Sequence, residues 1–296
     1  MSATFLLDPA TFPGSAEGVP WGDERLALDF AGQLLSIEGL SARQRERAEE
    51  LYADFRSITA SPLAANVHVF RADPAAFRKI DTRGWSYELE FDYRPDATLL
   101  TGMDWMGRIE WGASLAGALF VTTEEPGAFH GAFENFLRVL VAHALLFEGG
   151  ALVHSAAVLE PSGGRLFVGP SGAGKSTVSR LALDSGRDIV SDDLNLVAPD
   201  FSLAGSPFFG DVGSRTDGRR PLVGIYRLIQ GSSDGIRPMG EGEALAALVA
   251  CSPFVNRSAH LEDRLFRNLS SLSRTVPAYA LTFRREGTFW PLLESC

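Results

Sequence analysis

RLFVGPSGAGKSTVSRLALDSGRDIVSDDLNL, residues Arg165–Leu196, decides how the chain is read. Within it Gly169, Pro170, Ser171, Gly172, Ala173, Gly174, Lys175 and Ser176 satisfy the phosphate-loop pattern G-x-x-x-x-G-K-[ST] at every fixed position, with Thr177 following. Glycines lacking a Cβ let backbone N–H groups turn inward around a phosphate. Lys175 is placed to reach the β- and γ-phosphates, and the Ser176 hydroxyl to help hold Mg²⁺. Context supports the pattern. Leu166-Phe167-Val168 reads as a short buried strand running into the loop. Val178, Leu181 and Ala182 give one apolar helix face beyond it, stopped at Gly186. The start of that helix adds the positive end of its dipole. Residues Gly169 to Thr177 are therefore the expected ATP-binding segment.

A second strand, Asp188-Ile-Val-Ser191, carries Asp192-Asp193 at its C-terminal end. In open α/β sheets, ligands and catalytic groups gather at that edge. One helix and one return strand separate the aspartates from Lys175, so both can share a cleft. A lone Asp-Asp is most often a solvated turn, but a phosphate loop immediately upstream gives this one a function.

These residues, with His154 in Leu152-Val-His-Ser-Ala-Ala-Val158, resemble bacterial HPr kinase/phosphorylase and above all the HPr kinase-related proteins. The resemblance covers about Leu137 to Phe283. It implies an α/β fold: a P-loop kinase domain of the HPr kinase / phosphoenolpyruvate carboxykinase type, preceded by an α+β N-terminal domain. It also implies that His154 lies near the transferred phosphate. Thr177 stands where HPr kinases proper usually carry Glu, and their downstream signature loop is not recognisable, so kinase chemistry transfers better than substrate identity.

Composition sets the outer bounds. A chain of 296 residues with 45% hydrophobic residues can bury a sizeable core in one large domain or two ordinary ones. A formal charge of −10 disfavours nucleic acid and anionic membrane surfaces as partners. The two cysteines, Cys251 and Cys296, form neither a disulfide framework nor a metal pattern. No signal peptide and no membrane-spanning apolar run is evident, so a cytoplasmic protein is expected.

Read in order, Met1–Trp21 is Pro- and Gly-rich and expected to be an irregular arm. Ser41 and Gln44 form a capping box for a helix whose stripe is Ala48, Leu51, Tyr52 and Phe55. Asn66–Phe70, Tyr87–Tyr93, Arg108–Trp111 and Ala118–Val121 read as strands of a domain spanning 1–125. Its aromatics Tyr87, Phe91, Tyr93, Trp105 and Trp111 read as core, and His68 as structural. The second domain, 126–296, opens with the strongest helix, Phe129 to Leu145, stopped at Gly149-Gly150. Ala151–Leu159 and Arg165–Val168 form a hairpin placing His154 beside the phosphate-loop strand. After strands at Leu194–Ala198 and Phe201–Ala204, the polar segment Val212–Arg220 reads as a loop. It is a candidate mobile flap whose Arg215, Arg219 or Arg220 could close over phosphates. A strand at Leu222–Leu228, helices at Glu243–Val249 and Leu261–Leu272, and a strand at Ala278–Phe283 complete the chain.

The expected activity is transfer of the γ-phosphoryl group of ATP to a hydroxyl acceptor. Asp192 acts as base, Asp193 and Ser176 arrange Mg²⁺, and Lys175 holds phosphate. By resemblance the acceptor is a serine of a protein or peptide, with a small hydroxylated metabolite as the alternative. An ATP-binding regulatory or adaptor module is the reading from another class. A homo-oligomer stays among the partner readings.

Overall fold

A computed structural model describes residues 18–58, 63–74, 89–208, 210–212 and 218–294. The fold is mixed α/β, and the described residues contain two large sheets of eight strands each. The chain divides into two compact units. The first comprises Met1–Asp29 and Gln33–Leu140, the second Phe30–Gly32 and Val141–Cys296.

In the first unit β1 (Val19–Pro20), β2 (Glu24–Phe30) and β3 (Gln33–Leu40) precede helix α1 (Ala42–Leu51). Strands β2 and β3 are joined by Ala31-Gly32, both at positive φ (60° and 85°) as a tight hairpin turn requires. The capping box of α1 forms in full, with Ser41 Oγ accepting from Gln44 N and Gln44 Oε1 accepting from Ser41 N. Strands β4 (Leu63–Arg71), β5 (Glu90–Tyr93), β6 (Ala97–Gly102), β7 (Trp105–Trp111) and β8 (Leu115–Val121) complete the sheet, in the order β2-β3-β4-β8-β7-β6-β5. Helix α2 (Pro126–Glu148) follows, with Phe129, Phe133 and Phe136 buried. Phe136 occupies the space above Gly107 and Gly117, where a Cβ would come within 2.6 and 3.0 Å of its ring.

Several expectations are corrected here. Gly18–Trp21 is not wholly irregular, because Val19 and Pro20 pair with Arg71 and Phe70; residues 1–17 lie outside the described residues. The strand expected over Tyr87–Tyr93 is seen as Glu90–Tyr93, with Tyr87 also outside them. Of the aromatics, Trp105 is buried, whereas Phe91 and Tyr93 stack on each other at 5.6 Å and are half-buried. His68 is exposed and stacks on Phe70.

The second unit begins its sheet with β9 (Ala151–Glu160) and β10 (Gly163–Val168), followed by α3 (Lys175–Asp184), β11 (Asp188–Ser191), β12 (Leu194–Val197) and β13 (Ser202–Ala204). Then come β14 (Arg219–Gln230), β15 (Gly235–Pro238), α4 (Glu241–Ala250), α5 (Glu262–Thr275), β16 (Ala278–Phe283) and α6 (Trp290–Glu294). The sheet order is β10-β9-β12-β13-β14-β16-β15, with β11 also on β9 and β14 also on β10. Strand β9 changes neighbours along its length: Ala151–His154 face β12, and Ser155–Glu160 face β10. Its core gathers Phe167, Val178, Ala182, Tyr226, Leu281, Phe283 and Phe289. Among the described residues no helix is long and apolar enough to cross a membrane.

Candidate functional site

Three parallel strands end at one edge of the second sheet. Val168 of β10 is in register with Arg227 of β14, and Gln230 of β14 with Phe283 of β16. The loop leaving β10 turns through Gly172 (φ 79°) and Gly174 (φ 110°). At Gly174 a Cβ would also lie 2.6 Å from the Phe283 ring, so the fold admits only glycine there. Helix α3 then starts at Lys175 with no side chain capping it, which leaves its first N–H groups for an anion.

Lys175 is 7% exposed, and its Nζ donates to the carbonyls of Gly169 (3.0 Å) and Pro170 (3.2 Å). An ammonium has three donors, so one remains for a ligand. Burial holds the amine below its usual range, opposed by Cys251, Asp193 and Asp192. Gln230 Nε2 donates to the Gly172 carbonyl at 2.6 Å and ties the loop to the end of β14.

The two aspartates occupy the turn between β11 and β12, which is held by its neighbours. Ser191 Oγ donates to the Phe208 carbonyl (2.7 Å) and accepts from Asp193 N (3.0 Å). Asn195 Nδ2 donates to the carbonyls of Ser155 (2.7 Å) and Ser191 (3.2 Å). Asp192 is 4% exposed, and its Oδ1 accepts from Gly210 N at 3.0 Å. His154 lies across from Leu194 in the β9–β12 register, with Nε2 3.5 Å from Asp193 Oδ1. Burial and the Lys175 charge lower the imidazole below its usual value, while Asp193 and Asp192 oppose them. The neutral ring is thereby favoured beside the carboxylate.

One cavity of about 430 Å³ gathers His154, Ser171, Gly172, Gly174, Lys175, Ser176, Thr177, Asp192 and Asp193. Gly169, Pro170 and Ala173 complete the loop beneath it without lining it; a Cβ on Gly169 would meet the Ala173 methyl at 2.7 Å. The arginines fall elsewhere. Arg219 and Arg220 do not stand in a loop, because they open β14 and pair there with Ala204 and Leu203 of β13. Arg219 donates to Asp200 and Ser202 at 2.9 Å, and Arg220 lines a different cavity. Arg215 lies outside the described residues.

That second cavity, about 930 Å³, is larger, but its buried charges satisfy one another: Glu160 accepts from Arg165 (2.7 Å) and Arg187 (3.0 Å). The smaller cavity, which holds the loop lysine and both aspartates, is therefore the candidate site. It also draws in Gly210, Asp211, Gln230 and Arg285, none of which forms a motif in sequence. Cys251 contributes from below, with Sγ 3.7 Å from the Gly169 carbonyl and its own carbonyl accepting from His154 N at 2.7 Å. Gln230 comes to the loop through the register of β14, and the others come from loops and a helix end that lie far from it in sequence.

No curated protein matches the chain. The family model described as SynChlorMet cassette protein ScmC matches residues 133–296, a span that contains the loop, both aspartates and Arg285. The chain belongs to the SynChlorMet cassette protein ScmC family.

Proposed function

We propose that the second unit is a P-loop kinase fold of the HPr kinase / phosphoenolpyruvate carboxykinase type, and that the chain moves the γ-phosphoryl group of ATP to a hydroxyl. The observation that carries this reading is the single cavity shared by Lys175, Ser176, His154 and the Asp192–Asp193 pair. A phosphate-loop motif alone requires only a nucleotide. Two carboxylates and an imidazole in the same cavity add the means to move a proton.

In the proposed reaction the acceptor oxygen forms a bond to the γ-phosphorus as the bond to the β-phosphate oxygen breaks, and ADP leaves. Asp192 takes the acceptor's proton; its Oδ1 is fixed by Gly210 N, so the carboxylate is oriented before substrate arrives. Lys175 and the uncapped start of α3 hold phosphate oxygens. Ser176 and Asp193 would hold Mg²⁺, which offsets charge on the phosphates when bound. Among the described residues no group of three His, Cys, Asp or Glu side chains could hold a metal. Mg²⁺ takes one or two protein ligands and fills its shell with phosphate and water, so a hydroxyl and one carboxylate are enough for that role. His154, kept neutral, orients Asp193.

The acceptor we infer is a serine of a protein or peptide, with a small hydroxylated metabolite as the competing substrate class. Incubating the full chain with Mg²⁺, γ-labelled ATP and a panel of serine peptides and hydroxylated metabolites tests this. Label on a serine is the expected result. ATP binding with no transfer to any acceptor would leave an ATP-binding module in place of an enzyme.

A further inference from the structure

Arg285 stands two residues past the end of β16 and lines the same cavity as Lys175 and Thr177. It is exposed, and among the described residues it makes no ion pair. Its neighbour is held quite differently. Arg284 N donates to Asp234 Oδ1 at 2.7 Å, and Arg284 Nη2 donates to Thr288 Oγ1 at 3.1 Å. Thr288 Oγ1 in turn bonds the other oxygen of Asp234, whose side chain is only 10% exposed. The short turn after β14 and the loop after β16 are thus fastened together through one carboxylate. The ends of the two strands are already in register at Gln230 and Phe283, and Gln230 reaches the phosphate loop itself. A guanidinium without an ion-pair partner among the described residues, on so firmly anchored a loop in a chain of net charge −10, has the preorganisation expected of a ligand-binding group.

We propose that Arg285 binds the polyphosphate of the nucleotide together with Lys175. This rests on reading the cavity as a phosphate site. It places a phosphate-binding arginine after β16, where Arg219 and Arg220 do not reach. A planar guanidinium can hold two phosphate oxygens at once, which the Lys175 point charge cannot. Asp234 is the positioning residue, acting through Arg284 and Thr288.

The test is calorimetric titration of the full chain with Mg·ATP, with melting temperatures recorded alongside, for the wild type, Arg285→Ala, Arg285→Lys and Lys175→Ala. Arg285→Ala should weaken Mg·ATP about 10- to 100-fold, the loss expected for hydrogen bonds to a charged group. Its melting temperature should stay that of the wild type, and Arg285→Lys should recover part of the affinity. Wild-type affinity in Arg285→Ala, with binding lost in Lys175→Ala, overturns the role of Arg285 and leaves the phosphate site standing. A weakened Arg285→Ala that also melts earlier and is not rescued by lysine overturns it too, since the arginine is then structural. A wild type that binds no Mg·ATP, or a Lys175→Ala that binds as the wild type does, removes the phosphate site and this inference with it.

Discussion

Asp192 and Asp193 are adjacent in sequence, yet their surroundings differ enough to separate their roles. Asp192 is almost fully buried and carries a backbone hydrogen bond from Gly210, whereas Asp193 faces His154 and is more open to solvent. Asp192→Asn keeps the shape and the Gly210 contact while removing the proton acceptor. Turnover should then fall about 10²- to 10⁴-fold with little change in ATP affinity. Asp193→Asn should instead weaken Mg²⁺-dependent ATP binding, because the group lost is the one assigned to the ion. Steady-state kinetics with a parallel binding titration separates these outcomes. Affinity lost in Asp192→Asn, and kept in Asp193→Asn, would mean that the two roles are exchanged.

At the scale of elements, the β9–β10 hairpin is held at its turn end by Glu160, which accepts from Arg165 and Arg187 while Arg187 lies 4.4 Å over the Trp290 ring of α6. Burial pushes the Glu160 carboxyl up, but the hydrogen bonds from the two arginines outweigh it and hold the group below its ordinary 4.5. A depressed carboxylate contributes stability above the unfolded value and loses it as pH falls through the folded one. Glu160→Ala strands the buried Arg165 and should cost about 3 kcal/mol at pH 7. Denaturant melts should show that difference narrowing below about pH 4.5, as the wild-type group itself takes up a proton. This hairpin, α3 and the aspartate strand were legible because each has a local signal: alternating apolar residues, a glycine loop, a helix stripe. The alternation of Leu26, Leu28 and Phe30 in β2 is just as local, and the expected order of elements passes over it. Ala97–Gly102 carries no such period, since it is buried on both faces at nearly every position. Nor does sequence show that Arg219 and Arg220 are strand residues, because they join β13 through backbone bonds that place no demand on side-chain type. Gln230 reaches the site only through strand register, a long-range property, and Arg285 from the loop after β16.

At the scale of the molecule, the second unit includes a piece of chain far from the rest of it: Phe30–Gly32. Phe30 is fully buried, and its ring centroid lies 6.1 Å from that of Phe208. Phe208 also supplies the carbonyl that accepts from Ser191 Oγ, one residue before Asp192. An aromatic side chain from the start of the chain thereby supports the turn that carries Asp192 and Asp193. Phe30→Ala removes a large buried ring and leaves a cavity, with an expected loss of about 3–5 kcal/mol. Part of the loss should appear at the site, because Phe208 can relax into the space and draw its carbonyl from Ser191. Phe30→Leu, which keeps most of the volume, should lose much less on both counts. A chain beginning at Pro126 lacks Phe30 altogether. It also bares Phe129, Phe133 and Phe136, three rings buried in the first unit. An apolar patch of roughly 450 Å² follows from three aromatic side chains. The shortened chain should therefore bind an apolar dye and melt at lower denaturant than the full chain. The proposed acceptor specificity is therefore better tested by substitutions within the full chain than by removing its first half. Equal denaturant midpoints for the full chain, Phe30→Ala and the shortened chain would show that Phe30 contributes nothing to the second unit.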